Sequence, residues 1–293
     1  MNNPSSSQSS VWIAATPVIF VVLWASGFVG AKYGLPSAPP ATFLMIRFAA
    51  VLALLIPLAW WAKASWPTTR AQALHLVVVG VLVQAGYLGG VFFSIDQGMS
   101  AGLAALIVGL QPVLTAVMAG VILEERVGAR QWFGLVLGLA GAALVVENRI
   151  TVAGLTVGSM VTILIALFSM TAGTVYQKRF CGRFDLRTGA IIQFVAASLV
   201  MAPLALHETR AVVWNLSFVL AVAWLAIALS IVAIALLALL VQRGAATKVA
   251  SLFYLVPPTT ALMAFVAFGE RLSLTALLGM ALTVIAVAMV VRT

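Results

Sequence analysis

The chain has 293 residues, of which 63% are hydrophobic and only 8% charged, and its formal net charge is +9. A soluble domain carries roughly 25% charged residues, and with a mean hydropathy of +1.16 over its whole length this chain reads as a polytopic membrane protein, not a soluble domain with one anchor. The 16 Lys and Arg form no stripe but lie in short connections between apolar runs, which argues against a nucleic-acid partner and makes them topology signals.

Residues 1–10 are polar and lack the basic start of a secretory signal, so a disordered cytoplasmic tail is expected before a retained first span. Ten apolar runs follow, near 11–33, 40–62, 71–94, 100–123, 130–146, 155–177, 188–206, 214–240, 247–268 and 274–291. Each approaches the roughly 20 residues of a membrane-spanning helix, so the expected fold is an all-α integral membrane protein with ten transmembrane helices. Cys181, the single cysteine, lies in a basic connection, so neither an internal disulfide nor a cysteine-based metal cluster is available.

The stretch Gly98, Pro112, Glu124 returns as Gly244, Pro258, Glu270, a shift of 146 residues. The same shift places Lys32 on Lys178, Thr42 on Thr188, Phe48 on Phe194 and Pro57 on Pro203. Coincidences among rare residues in so apolar a chain point to an internal duplication, with a first repeat over 11–147 and a second over 154–292. Five spans per repeat is an odd number, so the second copy enters from the opposite face and the halves are inverted repeats, the usual plan of secondary transporters. Eleven Lys and Arg fall on the N-terminal side against four on the other (Lys32, Arg149, Arg210, Arg271), which puts both termini in the cytoplasm.

Trp24 with Lys32 in the first span, Arg47 in the second, a Pro-broken fourth span closed by Glu124, and the matching Gly269, Glu270 and Arg271 resemble the EamA repeats of the drug/metabolite transporter superfamily. The resemblance runs from about Trp12 to Val291. It implies a ten-helix transporter of a bacterial inner membrane with a central cavity between the halves, similar in architecture to aromatic amino acid exporters, with no cofactor. Arg47 falls on Gln193 and Trp24 on Met170, so neither residue has a symmetric role.

Depth in the membrane singles out the candidate residues, because a polar group at mid-bilayer must face protein or a wet cavity. Gln84 and Gln111 are near the centres of the third and fourth spans, Ser230 matches Gln84 in the second half, and Ser251 and Tyr254 lie in the ninth span. With Trp24 and Tyr87 these form the expected substrate-binding set, aromatic surface with polar handles. The two glutamines equally suit packing between helices. Pro112, Pro257 and Pro258 interrupt their spans at matching places and are the expected hinges or kinks. Arg47, about a third of the way into its span, is expected first to snorkel to the surface, with pairing to a helix C-terminus or contact with a substrate carboxylate as the alternatives, and Trp60, Trp61, Trp66, Trp132 and Trp214 to form an interfacial belt. Gly134, Gly138 and Gly141 fit either a dimer face or packing within one monomer, so monomer and homodimer stay open.

All seven acidic residues lie at or beyond span ends, leaving no mid-membrane carboxylate for a proton relay. The expected function is export of small neutral or zwitterionic metabolites, amino acids foremost, by alternating access and without proton coupling. Proton-coupled drug efflux is the nearest alternative. A lipid-processing membrane enzyme would need a nucleophile with its base or a metal cluster, which two scattered histidines do not supply, and a structural subunit would need no cavity.

Overall fold

A computed structural model describes residues 4–99, 101–147, 156–268 and 273–292, and every regular element among them is helical. In chain order these are α1 (Pro4–Gly34), α2 (Pro40–Trp61), α3 (Arg70–Val79), α4 (Leu88–Asp96), α5 (Ala101–Val108), α6 (Gln111–Ile122), α7 (Ala129–Val146) and α8 (Val157–Phe180). There follow α9 (Leu186–His207), α10 (Leu216–Trp224), α11 (Ile234–Arg243), α12 (Ala246–Ser251), α13 (Val256–Phe268) and α14 (Leu274–Val291). Seven continuous runs are long and apolar enough to cross a membrane, and the shorter Thr16–Gly27 and Ala129–Val145 are also apolar. The run expected over 247–268 is divided into α12, a 3-10 segment Leu252–Leu255 and α13.

Helix α1 begins at Pro4, so most of the segment expected as a disordered tail is drawn into the first helix. Proline is well suited to a first helical turn, where its missing N–H is not needed. Gly269, Glu270 and Arg271 lie outside the described residues.

Two π-helical segments interrupt long helices: Gly80–Tyr87 joins α3 to α4, and Leu225–Ala233 joins α10 to α11. Shifted by 146 residues, the first would occupy 226–233, so the two spans nearly coincide at that shift. A π turn adds a residue per turn and rotates the side chains beyond it, a device common at functional sites. Pro112, Pro257 and Pro258, expected as hinges or kinks, stand at helix starts and do not bend continuous helices, whereas Pro17, Pro57 and Pro203 lie inside α1, α2 and α9. Pro112 is in the first turn of α6 after a break at Gly109 and Leu110, and Pro257 and Pro258 open α13 directly after the 3-10 segment.

Small residues set the closest helix contacts. On α7, a Cβ at Gly141 would meet the Gly279 carbonyl of α14 at 2.8 Å, and one at Gly134 would meet Val290 and Ala286 of the same helix. This face is therefore filled within the monomer. Helix α2 buries the row Phe43, Arg47, Val51 and Leu55, which the i, i+4 spacing puts on one face. That row packs against aromatic neighbours from several elements, Phe43 touching both Phe92 and Phe218.

The helix ends are tied across the chain. Glu208 accepts from the backbone N–H groups of Ala41 and Thr42 at the start of α2, and Glu125 does the same for Ala246 and Thr247 at the start of α12. Arg210 donates to the carbonyls of Leu35 and Ala38 and pairs with Asp96 at 2.9 Å. Helix starts carry unsatisfied N–H groups and positive dipole, so a carboxylate there serves both.

Candidate functional site

Trp24 of α1, Tyr87 at the end of the first π segment, and Phe253 of the 3-10 segment meet in one aromatic cluster. The Trp24 and Tyr87 rings stack with centroids 6.1 Å apart, while Trp24 meets Phe253 edge-on at 5.2 Å. Beside them lies a cavity of about 40 Å³ lined by Trp24, Gly27, Arg47, Tyr87, Phe92 and Leu229 among others. Ligand pockets usually measure ~300–1,000 Å³, whereas a single water occupies at least ~10–15 Å³ by this measure. The cavity thus has room for only a few waters and must widen to take a metabolite. Two larger hollows, of about 550 and 500 Å³, are grooves on the outer face lined by exposed side chains such as Leu199 and Trp224, where lipid tails fit.

Arg47 is the charged member of the cavity wall. It does not reach the surface: it is 2% exposed, and its Nε donates to the Ser230 hydroxyl at 2.8 Å. Snorkelling fails because Arg47 is in the middle of the buried face of α2, with Phe43 and Val51 one turn to either side. That row was visible in the sequence as helical spacing, but judging Arg47 by depth alone concealed it.

The other candidates divide by partner. Gln84 and Gln111 are fully buried, and neither amide has a hydrogen-bond partner among the described residues. The Thr115 hydroxyl, one turn along α6 from Gln111, and the Tyr254 hydroxyl are likewise without partners. None of these four lines the cavity beside Arg47. Tyr254 lies over Gly138 of α7, where an added Cβ would meet its ring at 2.5 Å. Ser251 donates back to the Lys248 carbonyl at 2.8 Å, which satisfies it locally. The structure therefore brings Trp24 and Tyr87 to the cavity with Ser230 behind Arg47, and leaves Gln84, Gln111 and Tyr254 as buried polar groups elsewhere in the core.

Phe92, a mid-depth aromatic expected from the sequence to face lipid or core, is 3% exposed and lines the cavity, and sequence reasoning passed over Thr115, whose spacing from Gln111 signalled a shared face. Of the expected belt, Trp60, Trp61, Trp66 and Trp214 are exposed, while Trp132 is half-buried against the core. No group of three or more His, Cys, Asp or Glu suited to a metal occurs among the described residues.

A bundle of apolar helices around a small cavity, with unsatisfied polar groups buried along its core, has the make-up of a multi-pass membrane transporter. The EamA-like transporter family matches residues 9–147 and again 158–292. The chain belongs to that family, and is a transporter and not an enzyme. It is 26% identical over 268 residues to a probable amino-acid metabolite efflux pump of Salmonella typhimurium, covering 87% of each chain. It is 27% identical over 270 residues to the inner membrane transporter YedA of Escherichia coli K12, covering 92% of this chain and 87% of that one. A crystal structure superposes with a TM-score of 0.77 over 94% of both chains at 19% identity, a likeness of fold alone.

Proposed function

We propose that this protein exports small neutral or zwitterionic metabolites, amino acids foremost, from the cytoplasm across a bacterial inner membrane, with aromatic amino acids the first candidates. The observation that carries this reading is the small cavity walled by Trp24, Tyr87 and Phe92 with Arg47 beside them. Aromatic faces favour a bulky apolar side chain, and one buried cation suits a solute with one carboxylate better than a phosphate ester, which calls for several. The relatives named as amino-acid metabolite efflux pumps support the same substrate class.

Transport proceeds by alternating access between two inverted five-helix repeats, ten spans in all, with both termini cytoplasmic. Three observations support this. The family matches the chain twice, the π segments nearly coincide at the 146-residue shift, and the break before Pro112 recurs as the 3-10 segment Leu252–Leu255 before Pro257 and Pro258. Inverted repeats supply inward-open and outward-open states around one site. No buried carboxylate occurs among the described residues, which favours movement down the substrate gradient over proton coupling.

Uptake of labelled amino acids into liposomes holding only this protein, without a pH gradient, tests the reading. Uptake that falls when Trp24 or Tyr87 is replaced by Ala supports it. Uptake only under an imposed pH gradient overturns the uncoupled mechanism, and none in either condition overturns the substrate class.

A further inference from the structure

Arg47 is buried without a counter-charge. Its Nε reaches Ser230, a neutral hydroxyl, and no other hydrogen bond to its guanidinium occurs among the described residues. The ion pairs found there are Arg187 with Asp185 and Arg210 with Asp96, both at the ends of helices. The remaining described carboxylates are also placed away from it: Glu125 and Glu208 cap helix starts, and Glu124 and Glu147 are exposed at the ends of α6 and α7. A cation held in a water-poor core is strongly disfavoured unless an anion joins it, and a serine hydroxyl cancels no charge. The two Nη groups keep a flat fork of donors that matches a carboxylate edge to edge.

The asymmetry of the repeats points the same way. The counterparts of Arg47 and Ser230 are Gln193 and Gln84, both neutral. Only one half therefore presents charge to the cavity, and it does so beside Trp24, Tyr87 and Phe92.

We infer that Arg47 is a carboxylate anchor. The substrate's carboxylate takes the free Nη edge while Ser230 keeps Nε aimed, and the substrate's apolar part lies against the three aromatic rings. Organic cations lacking a carboxylate are rejected by the like charge, which sets the site apart from one for cationic drugs. This rests on the cavity being the transport site proposed above, and adds the group it recognises and the residue responsible.

The test compares 3-phenylpropanoate, 3-phenylpropanamide and 2-phenylethylamine, equal in ring and similar in length, as ligands of the purified full chain in nanodiscs, read by the shift in unfolding midpoint with concentration. The acid is expected to bind at least about tenfold more tightly than the amide, as a charge-assisted hydrogen bond allows, and the amine not at all. Arg47→Gln should bring the acid down to the affinity of the amide, while Arg47→Lys keeps part of the preference. Equal binding of acid and amide, binding of none of the three, or an acid preference that survives Arg47→Gln overturns the anchor. Should Arg47→Gln not fold, the comparison on the unaltered protein and on Arg47→Lys still decides. Amino acid uptake into liposomes is scored separately. Acid preference without such uptake would sink the amino-acid reading and keep the anchor, and uptake without acid preference would do the reverse.

Discussion

Glu208 holds Thr42 by two hydrogen bonds, accepting from its backbone N–H and from its hydroxyl, each at 2.7 Å. Glu125 holds Thr247 in the same way, through its N–H at 3.3 Å and its hydroxyl at 3.1 Å. In each case a loop carboxylate closes the start of a helix far away in the chain. Replacing Glu208 with Ala should cost about 1–2 kcal/mol, the usual worth of a charged helix cap. Glu208→Gln should lose less, because an amide oxygen still accepts. Unfolding midpoints in detergent check this, and an unchanged midpoint for Glu208→Ala would show that water replaces the cap.

Gln84 and Gln111 give a test of packing against function. A buried amide that bonds nothing is a liability to the fold, so Gln84→Met should leave the unfolding midpoint equal or higher. If the amide serves transport, amino acid uptake should nonetheless fall about tenfold, the loss of roughly one hydrogen bond to the moving solute. A drop in stability with uptake intact would mean that the amide bonds a neighbour within the core.

Gly141 and Gly120 should respond in opposite directions to alanine. A Cβ at Gly141 meets backbone atoms, the Gly279 carbonyl at 2.8 Å and the Thr283 nitrogen at 2.9 Å, and backbone does not yield cheaply. Gly141→Ala should cost about 1–3 kcal/mol, as overpacking does. At Gly120 a Cβ meets only the Glu125 carbonyl, at 3.7 Å, so alanine should be neutral or stabilise by up to about 1 kcal/mol through helix propensity. Midpoints that move together would refute the packing of α7 on α14.

Cys181 should resist thiol reagents. It lies just past the end of α8, is 9% exposed, and burial pushes its thiol from 9.0 up to about 12. The thiolate, the reactive form, is therefore scarce at neutral pH. Because the folded value is the higher one, its contribution to stability is complete below the ordinary thiol range and is lost as pH rises toward 12. Maleimide labelling at pH 7 should be slow in detergent-solubilised protein and rapid after SDS; fast labelling of the native protein would contradict the burial.

Arg47 shows how far the sequence could be read and where it stopped. Its row with Phe43, Val51 and Leu55 was written in the spacing, yet depth alone suggested snorkelling, since nothing local tells which helices cover that face. Gln84 and Gln111 were visible as polar residues at mid-span, but that neither has a hydrogen-bond partner depends on what packs around them. The π segments carry no sequence signature, and neighbouring helices must accommodate the extra residue.

Composition and hydropathy by themselves determined the membrane class and the apolar runs, because burying a backbone in lipid demands long uncharged helices whatever their arrangement. The 146-residue shift pointed to a duplication, since rare residues seldom recur by chance. Only the tertiary structure decided that Trp24, Tyr87 and Arg47 share one cavity, that Ser230 rather than a carboxylate meets the arginine, and that the glycines of α7 are filled by α14. These are contacts between helices distant in sequence, fixed by the packing of faces that no single helix specifies alone.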